Sequence, residues 1–260
     1  MSEEPTDLPD DQVFMARTKS FTRRARHLDD AAQRVWDTHA ADYVVDIVRG
    51  EGETTVAEDS KRLGMRKLFD RDSLVRCEIG TGNGDQIVQA ALDHPDRDFL
   101  GFEVYRPGLV KTINKAVKAG VTNIRLIEAD AQQAFPILLP DACLDEVWLF
   151  FPDPWRKTRH HKRRLVQEDF ALEVARVLRP GGLWRMATDW DDYAFWMRDV
   201  IEECPRFTNP YAGMNPDPAD PMGDHGGFAP RWSGRVMTSF EKRGIEAGRT
   251  VRDVCAQLLP

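Results

Sequence analysis

An α/β fold with a mostly parallel central sheet and helices on both faces follows from three features of the 260-residue sequence. Short apolar segments alternate with helix-length amphipathic ones. A glycine turn joins the first such segment to the helix after it. The hydrophobic share, 42%, is enough for one sizeable core. Short strands of buried composition separated by helices specify parallel pairing with both sheet faces covered.

Taken in order, residues 28–48 (LDDAAQRVWDTHAADYVVDIV) place Ala31, Val35, Ala41, Val44 and Val48 near helical spacing and predict a helix or helix pair. Residues 49–71 are polar and weakly patterned, which predicts a loop. Strands are predicted at 73–80, 98–104, 123–129, 144–151 and 183–189, and helices at 85–94, 107–120, 131–139, 164–178 and 192–203, the fourth ending at Pro180-Gly181-Gly182. The proline- and glycine-rich stretch 204–233 reads as a long loop. Residues 234–244 (GRVMTSFEKRG) read as a late strand and 249–259 (RTVRDVCAQLL) as a closing helix. No repeat appears. The chain divides into 1–27, a disordered acidic tail followed by a basic arm, and 28–260, a single domain.

Composition excludes several classes. No apolar run approaches the roughly 18 residues of a membrane helix. The opening MSEEPTDLPDDQ carries five acids and no base, which argues against a signal peptide and for a cytoplasmic protein. Cys77, Cys143, Cys204 and Cys255 are widely spaced with no CxxC pair, so neither a disulfide framework nor a zinc ribbon is expected. The net charge of −7 seems at first to disfavour a polyanionic partner. Locally the reverse holds. Arg17, Lys19, Arg23, Arg24 and Arg26 form one base-only run, and Arg156, Lys157, Arg159, Lys162, Arg163 and Arg164 a second. Such islands read either as solvated faces or as a polyanion footprint. The second directly follows an apolar strand, at the edge where open α/β sheets bind ligands.

Two motifs carry the chemistry. In Cys77-Glu78-Ile79-Gly80-Thr81-Gly82-Asn83-Gly84-Asp85, glycines at alternate positions allow tight backbone and close approach of a ligand. The spacing is GxGxG rather than the dinucleotide GxGxxG, and no GKS or GKT follows. Glu78 ends the strand, where a carboxylate repels pyrophosphate but suits an ammonium or sulfonium. Glu103, about twenty residues on, is placed to accept both hydroxyls of a ribose. Asp130 ends the third strand, where it can accept an exocyclic amine. Singly, each acid reads equally as a helix cap or solvated strand end; together they mark one sheet edge. In Phe150-Phe151-Pro152-Asp153-Pro154-Trp155, prolines on both sides restrict the backbone and hold the Asp153 carboxylate at the strand mouth. His160 and His161 lack any Cys or HExxH context, so no metal site is expected. Asp189 reads either as the cap of the next helix or as another acid on the same edge.

With FPDPWRKTRHHKRRLVQ, EIGTGNGD, GFEVYRPG, ATDWDDYA and TSFEKRGIEAG in hand, the chain resembles the bacterial tRNA (guanine-N7)-methyltransferases over residues 17–255. The resemblance implies a Rossmann-like class I methyltransferase fold with an antiparallel late strand, S-adenosylmethionine as cofactor, tRNA as partner, and a monomer or homodimer. It implies that Glu78, Gly80, Gly82, Gly84, Glu103, Asp130 and Asp153 hold the cofactor, with Asp153 catalytic. Lys157, Arg159, His160, His161, Lys162, Arg163, Arg164, Asp189, Thr238, Ser239, Phe240 and Glu241 face the substrate RNA. Ser239 stands where the family usually has lysine, and Thr81 and Asn83 where it often has bulkier apolar residues. The expected reaction is methyl transfer to N7 of a guanosine in the tRNA variable loop. Rival readings are a methyltransferase acting on an exocyclic amine or another RNA base, a non-catalytic RNA-binding module, and, disfavoured by the glycine spacing, a nicotinamide dehydrogenase.

Overall fold

In the computed structural model, which describes residues 27–260, the alternation read from the sequence folds into one mixed seven-stranded sheet. The elements in chain order are α1 (Asp30–Tyr43), α2 (Met65–Phe69), β1 (Val75–Ile79), α3 (Asp85–Asp93), β2 (Asp98–Phe102), α4 (Arg106–Ala119), β3 (Ile124–Ile127), α5 (Ala131–Leu138), β4 (Leu144–Phe150), a 3-10 helix (Thr158–Arg163), α6 (Glu168–Val177), β5 (Leu178–Thr188), α7 (Asp191–Glu203), β6 (Phe207–Thr208), α8 (Ser239–Glu246) and β7 (Arg252–Leu258). The expected tail and basic arm fall, His27 aside, outside the described residues.

The sheet order is β3-β2-β1-β4-β5-β7-β6. The first five strands are parallel, whereas β7 runs antiparallel to β5 and β6. Strand order therefore reverses between β1 and β4, and a cleft opens at the carboxyl ends of strands at such a switch point. Side chains alternate across each strand, so two cores form. Phe99, Leu126 and Trp148 pack with Ile87, Leu109 and Ile113 of α3 and α4 on one face. Cys77, Leu100, Val147, Trp184 and Met186 pack with Phe135, Phe170, Tyr193 and Met197 of α5, α6 and α7 on the other.

Several boundaries differ from expectation. Helix α1 stops at Tyr43 because Val44 and Val45 turn extended and join β3, Val45 N–H donating to the Leu126 carbonyl at 2.8 Å. The polar loop carries the short helix α2. Strand β5 begins at Leu178 and runs through Pro180-Gly181-Gly182, accommodated by a register shift against β4 and by Gly181 at φ +77°. The largest correction is the late region, where strand and helix are exchanged. Thr238 caps α8 by accepting from the Glu241 N–H at 3.1 Å, the signature of a Thr-x-x-Glu start. Residues 252–258 form a strand paired on both edges and buried almost throughout, so its composition lost the alternation that separates strand from helix. The antiparallel late strand exists, but it is β7.

Candidate active site

The glycine turn leaves β1 at the switch point and ends in α3. Gly80, Gly82 and Gly84 all have positive φ, at +76°, +54° and +77°. The turn rests on bare backbone: a Cβ on Gly108 of α4 would lie 2.5 Å from the Gly82 carbonyl oxygen, and one on Gly84 2.6 Å from Thr112 Oγ1. Above, nothing lies within 4 Å of a Cβ built on Gly80 or Gly82. The result is a cradle open on one side and close-packed on the other, which only glycine permits.

Glu78 and Glu103 stand beside it, both buried. Glu103 organises the turn: its Oε2 accepts from Gly82 N–H at 2.7 Å, and its Oε1 accepts from Val104 and Tyr105 N–H at 2.8 and 2.9 Å. Each carboxylate oxygen accepts about two hydrogen bonds, so Oε1 is filled and Oε2 has room for one more. Burial raises the Glu103 carboxyl against these donors, and the Asp153 charge raises it further. Glu78 is raised well above the usual carboxylate range, first by burial and then by Glu103. Its Oε2, like Thr81 Oγ1, is buried with no hydrogen-bond partner among the described residues. An unpartnered acceptor beside two like charges is a site for a cation. A cofactor carrying an ammonium or sulfonium and a ribose fits this set.

Asp130 is partly buried and does cap a helix, accepting from Gln132 N–H at 3.0 Å; burial raises its carboxyl. Near it the structure adds a group that spacing did not reveal. Glu128, fully buried, is held by Arg106 of α4 at 2.7 Å and by Arg49 at 3.5 Å, while the Arg106 guanidinium lies 4.8 Å from the Trp36 ring. This walls the β3 side of the cleft.

Across the switch point, Phe151 and Trp155 bracket Asp153 with φ of +53° and +47°. Left-handed conformation in aromatic residues is costly and persists only where the surroundings impose it. The loop is fastened by Arg164. This residue sat in the expected RNA-facing run, yet it is buried: Nε donates to the Pro154 carbonyl at 3.1 Å, Nη2 reaches Asp192, and the guanidinium lies over Tyr193 and Trp196 at 4.8 and 5.4 Å. His161 also turns inward, 3.5 Å from Asp192 and edge-on to Trp196. Thr158–Arg163 form a 3-10 helix; His161 within it and Arg164, the residue capping its end, turn inward, while Lys157, Arg159, Lys162 and Arg163 stay exposed. Arg163 lies over Trp155 at 5.0 Å, and His160 meets the same ring edge-on. Asp153 itself is solvent-accessible, yet the atoms crowding the strand mouth raise its carboxyl above the usual range.

The late segment arches over this half. Phe240 packs on Phe151 with ring centroids 5.5 Å apart, and Ser239 is exposed. Thr238 is spent on the α8 cap. Glu241 is fully buried between Arg231 at 3.0 Å and Arg235 at 3.1 Å, the latter also bonding Asp253 at 2.9 Å. Asp189 does not cap α7. Thr188 Oγ1 accepts from Trp190 N–H instead, and Asp189 pairs with Arg249 at 2.6 Å. No pattern in the sequence marks Arg231, Arg235 or Arg249. Among the described residues, no His, Cys, Asp and Glu cluster has the grouping of a metal site, and no helix is long and apolar enough to cross a membrane.

Comparison with known proteins adds a lineage to this geometry. A family model described as "Putative methyltransferase" matches residues 72–254. The tRNA (guanine-N(7)-)-methyltransferase of Cutibacterium acnes is 46% identical over 235 residues, covering 90% of this chain and 81% of that protein. The protein of the same name from Arthrobacter sp. is 38% identical over 95% of this chain and 88% of its own length, and that from Marinobacter nauticus 34% identical over 91% and 90%. Among solved structures, the 16S rRNA methyltransferase KamB superposes with a TM-score of 0.50 at 16% identity, over 80% of this chain and 99% of that one, a likeness of fold alone.

Proposed function

The chain belongs to the tRNA (guanine-N7)-methyltransferase family, and on that premise we propose that it methylates N7 of a guanosine in the variable loop of tRNA, with S-adenosylmethionine as donor. The observation that carries this reading is the convergence of Glu78, Glu103 and Asp153 on an open glycine cradle at the reversal of strand order. Behind burial in each case, the Asp153 charge raises the Glu103 carboxyl and the Glu103 charge raises that of Glu78.

When bound, S-adenosylmethionine supplies a sulfonium methyl, which the N7 lone pair takes up by in-line displacement with no proton to remove. The residues therefore need to bind, orient and stabilise positive charge rather than act as a strong base. Glu78 offers its unpartnered oxygen to a cationic group, Glu103 one acceptor site to a ribose hydroxyl, and Asp130 its remaining capacity to an exocyclic amine. Asp153, held by two strained neighbours and the Arg164 anchor, presents a fixed carboxylate where the guanine ring becomes cationic. Exposed Lys157, Arg159, Lys162 and Arg163 engage the RNA backbone, each contact displacing counterions. Incubation with labelled S-adenosylmethionine and unmodified tRNA, followed by nucleoside mapping, tests the reading. N7-methylguanosine in the variable loop is expected, and a methylated exocyclic amine would overturn it.

A further inference from the structure

Helix α8 is docked in an unusual way. Its buried residues are Glu241 and Gly244, and none of its apolar side chains belongs to either core among the described residues. Phe240 and Ile245 are about half exposed. The helix is held by charge at both ends. At its start Glu241 sits between Arg231 and Arg235; past its end Arg249 Nε lies 2.6 Å from Asp189 Oδ2, a charge contact rather than an aligned hydrogen bond. The second contact reaches the substrate half directly, because Asp189 follows β5 at the sheet edge.

Three details show that this pair is built. A Cβ on Gly244 would stand 2.8 Å from Asp189 Oδ2, so the carboxylate lies flush against the helix backbone only because residue 244 is glycine. Arg249 N–H donates to the Gly244 carbonyl at 3.0 Å, fixing the chain from which the guanidinium departs. The Asp189 side chain is 12% exposed, and no helix-capping bond occupies it, because α7 starts without a side-chain cap.

We propose that Arg249 is a positioning residue of the methyl-acceptor site: its ion pair sets the orientation of the Asp189 carboxylate and seats the end of α8 against β5. This rests on the resemblance's placement of Asp189 against the substrate RNA, taken here to be at the guanosine. Affinity for tRNA comes mainly from phosphate contacts elsewhere, so losing the pair misplaces the acceptor base without releasing the RNA.

The test uses the full chain, S-adenosylmethionine and an unmodified tRNA transcript, comparing Arg249→Ala, Arg249→Lys, Asp189→Asn and the Arg249→Ala/Asp189→Asn pair. Arg249→Ala is expected to lower kcat about tenfold or more while KM for tRNA and cofactor affinity stay within about twofold. Arg249→Lys is expected to recover most of the rate, which a side chain serving only as filler would not show. In the Asp189→Asn background, Arg249→Ala should add nothing further. An unchanged or higher kcat for Arg249→Ala overturns the proposal. So does lysine performing no better than alanine, or losses that multiply in the double variant. If Asp189→Asn itself keeps full activity, the placement of Asp189 toward the guanosine has failed. If Asp189→Asn is impaired and Arg249→Ala is not, only the role of Arg249 has failed. Thermal unfolding of each variant separates loss of the fold from loss of positioning.

Discussion

The two halves of the cleft are built from different materials. On the cofactor side the turn after β1 is shaped by glycines and by backbone N–H groups converging on Glu103. On the acceptor side the loop around Asp153 and helix α8 are held by arginine side chains: Arg164 under Pro154, Arg231 and Arg235 around Glu241, and Arg249 on Asp189. A cradle made of backbone is set by local conformation and close packing. A rim made of ion pairs depends on charge and on a few long side chains, and sub-global opening favours regions with few apolar contacts. The proposed cofactor half is therefore preformed, and the proposed acceptor half is the adjustable one.

The largest expected effect separates chemistry from cofactor binding. Asp153→Ala should lower methyl transfer by about 10²–10³-fold, as removal of one preorganised electrostatic group does, with calorimetric affinity for the cofactor largely kept. Parallel loss of both would join the halves into one unit and break the comparison. Next, Arg164→Ala should lower unfolding free energy by about 2 kcal/mol, because the Pro154 carbonyl and neighbouring groups lose a buried donor. A variant as stable as the parent would mean that the acceptor loop stands without its anchor.

A pH titration addresses the cofactor half. Glu78 is raised by burial and by the Glu103 charge, and Glu103 by burial and by the Asp153 charge, so both hold protons above the ordinary carboxylate range. A cation needs them ionised, and its binding expels those protons. Affinity should thus climb as pH rises through that window, by at most about tenfold per pH unit for each proton released, and Glu78→Gln should flatten the climb. The sign for folding is opposite. Groups whose folded pKa is raised bind more protons folded than unfolded, so the cofactor-free chain loses stability as pH rises through the same window. Calorimetry across about pH 5–8 measures the first effect; equal affinity throughout would place the cation elsewhere. The smallest effect is the slope of tRNA affinity against salt. Arg163→Ala should reduce it by about 0.7–0.9 for one lost phosphate contact, whereas Arg164→Ala should leave it unchanged.

The same division explains what the sequence made legible. Glu78, Glu103 and Asp153 could be placed at one edge because strand ends and glycine spacing are local, backbone-level features, and parallel topology brings strand ends together. Facing was harder. Arg163 and Arg164 are chemically alike and adjacent, yet one is exposed and the other lies against Tyr193 and Trp196. Only the place where the 3-10 helix ends, between Arg163 and Arg164, which no composition announces, decides between them. Residues 234–259 were read in reverse order of element because a short apolar strand paired on both edges has no period of its own. The Thr238–Glu241 start was the overlooked signal. Arg249 was illegible for a further reason: its partner Asp189 lies sixty residues away, and nothing local to either marks the pair.

The ion-pair docking of α8 also bears on temperature. Apolar docking carries a large heat-capacity change and fades on cooling. A helix that buries a glutamate and a glycine has almost none of that term to lose. The cost of desolvating its paired charges also falls on warming. The strap over the proposed acceptor site should therefore keep its grip from cold to hot better than the hydrophobic layers it bridges.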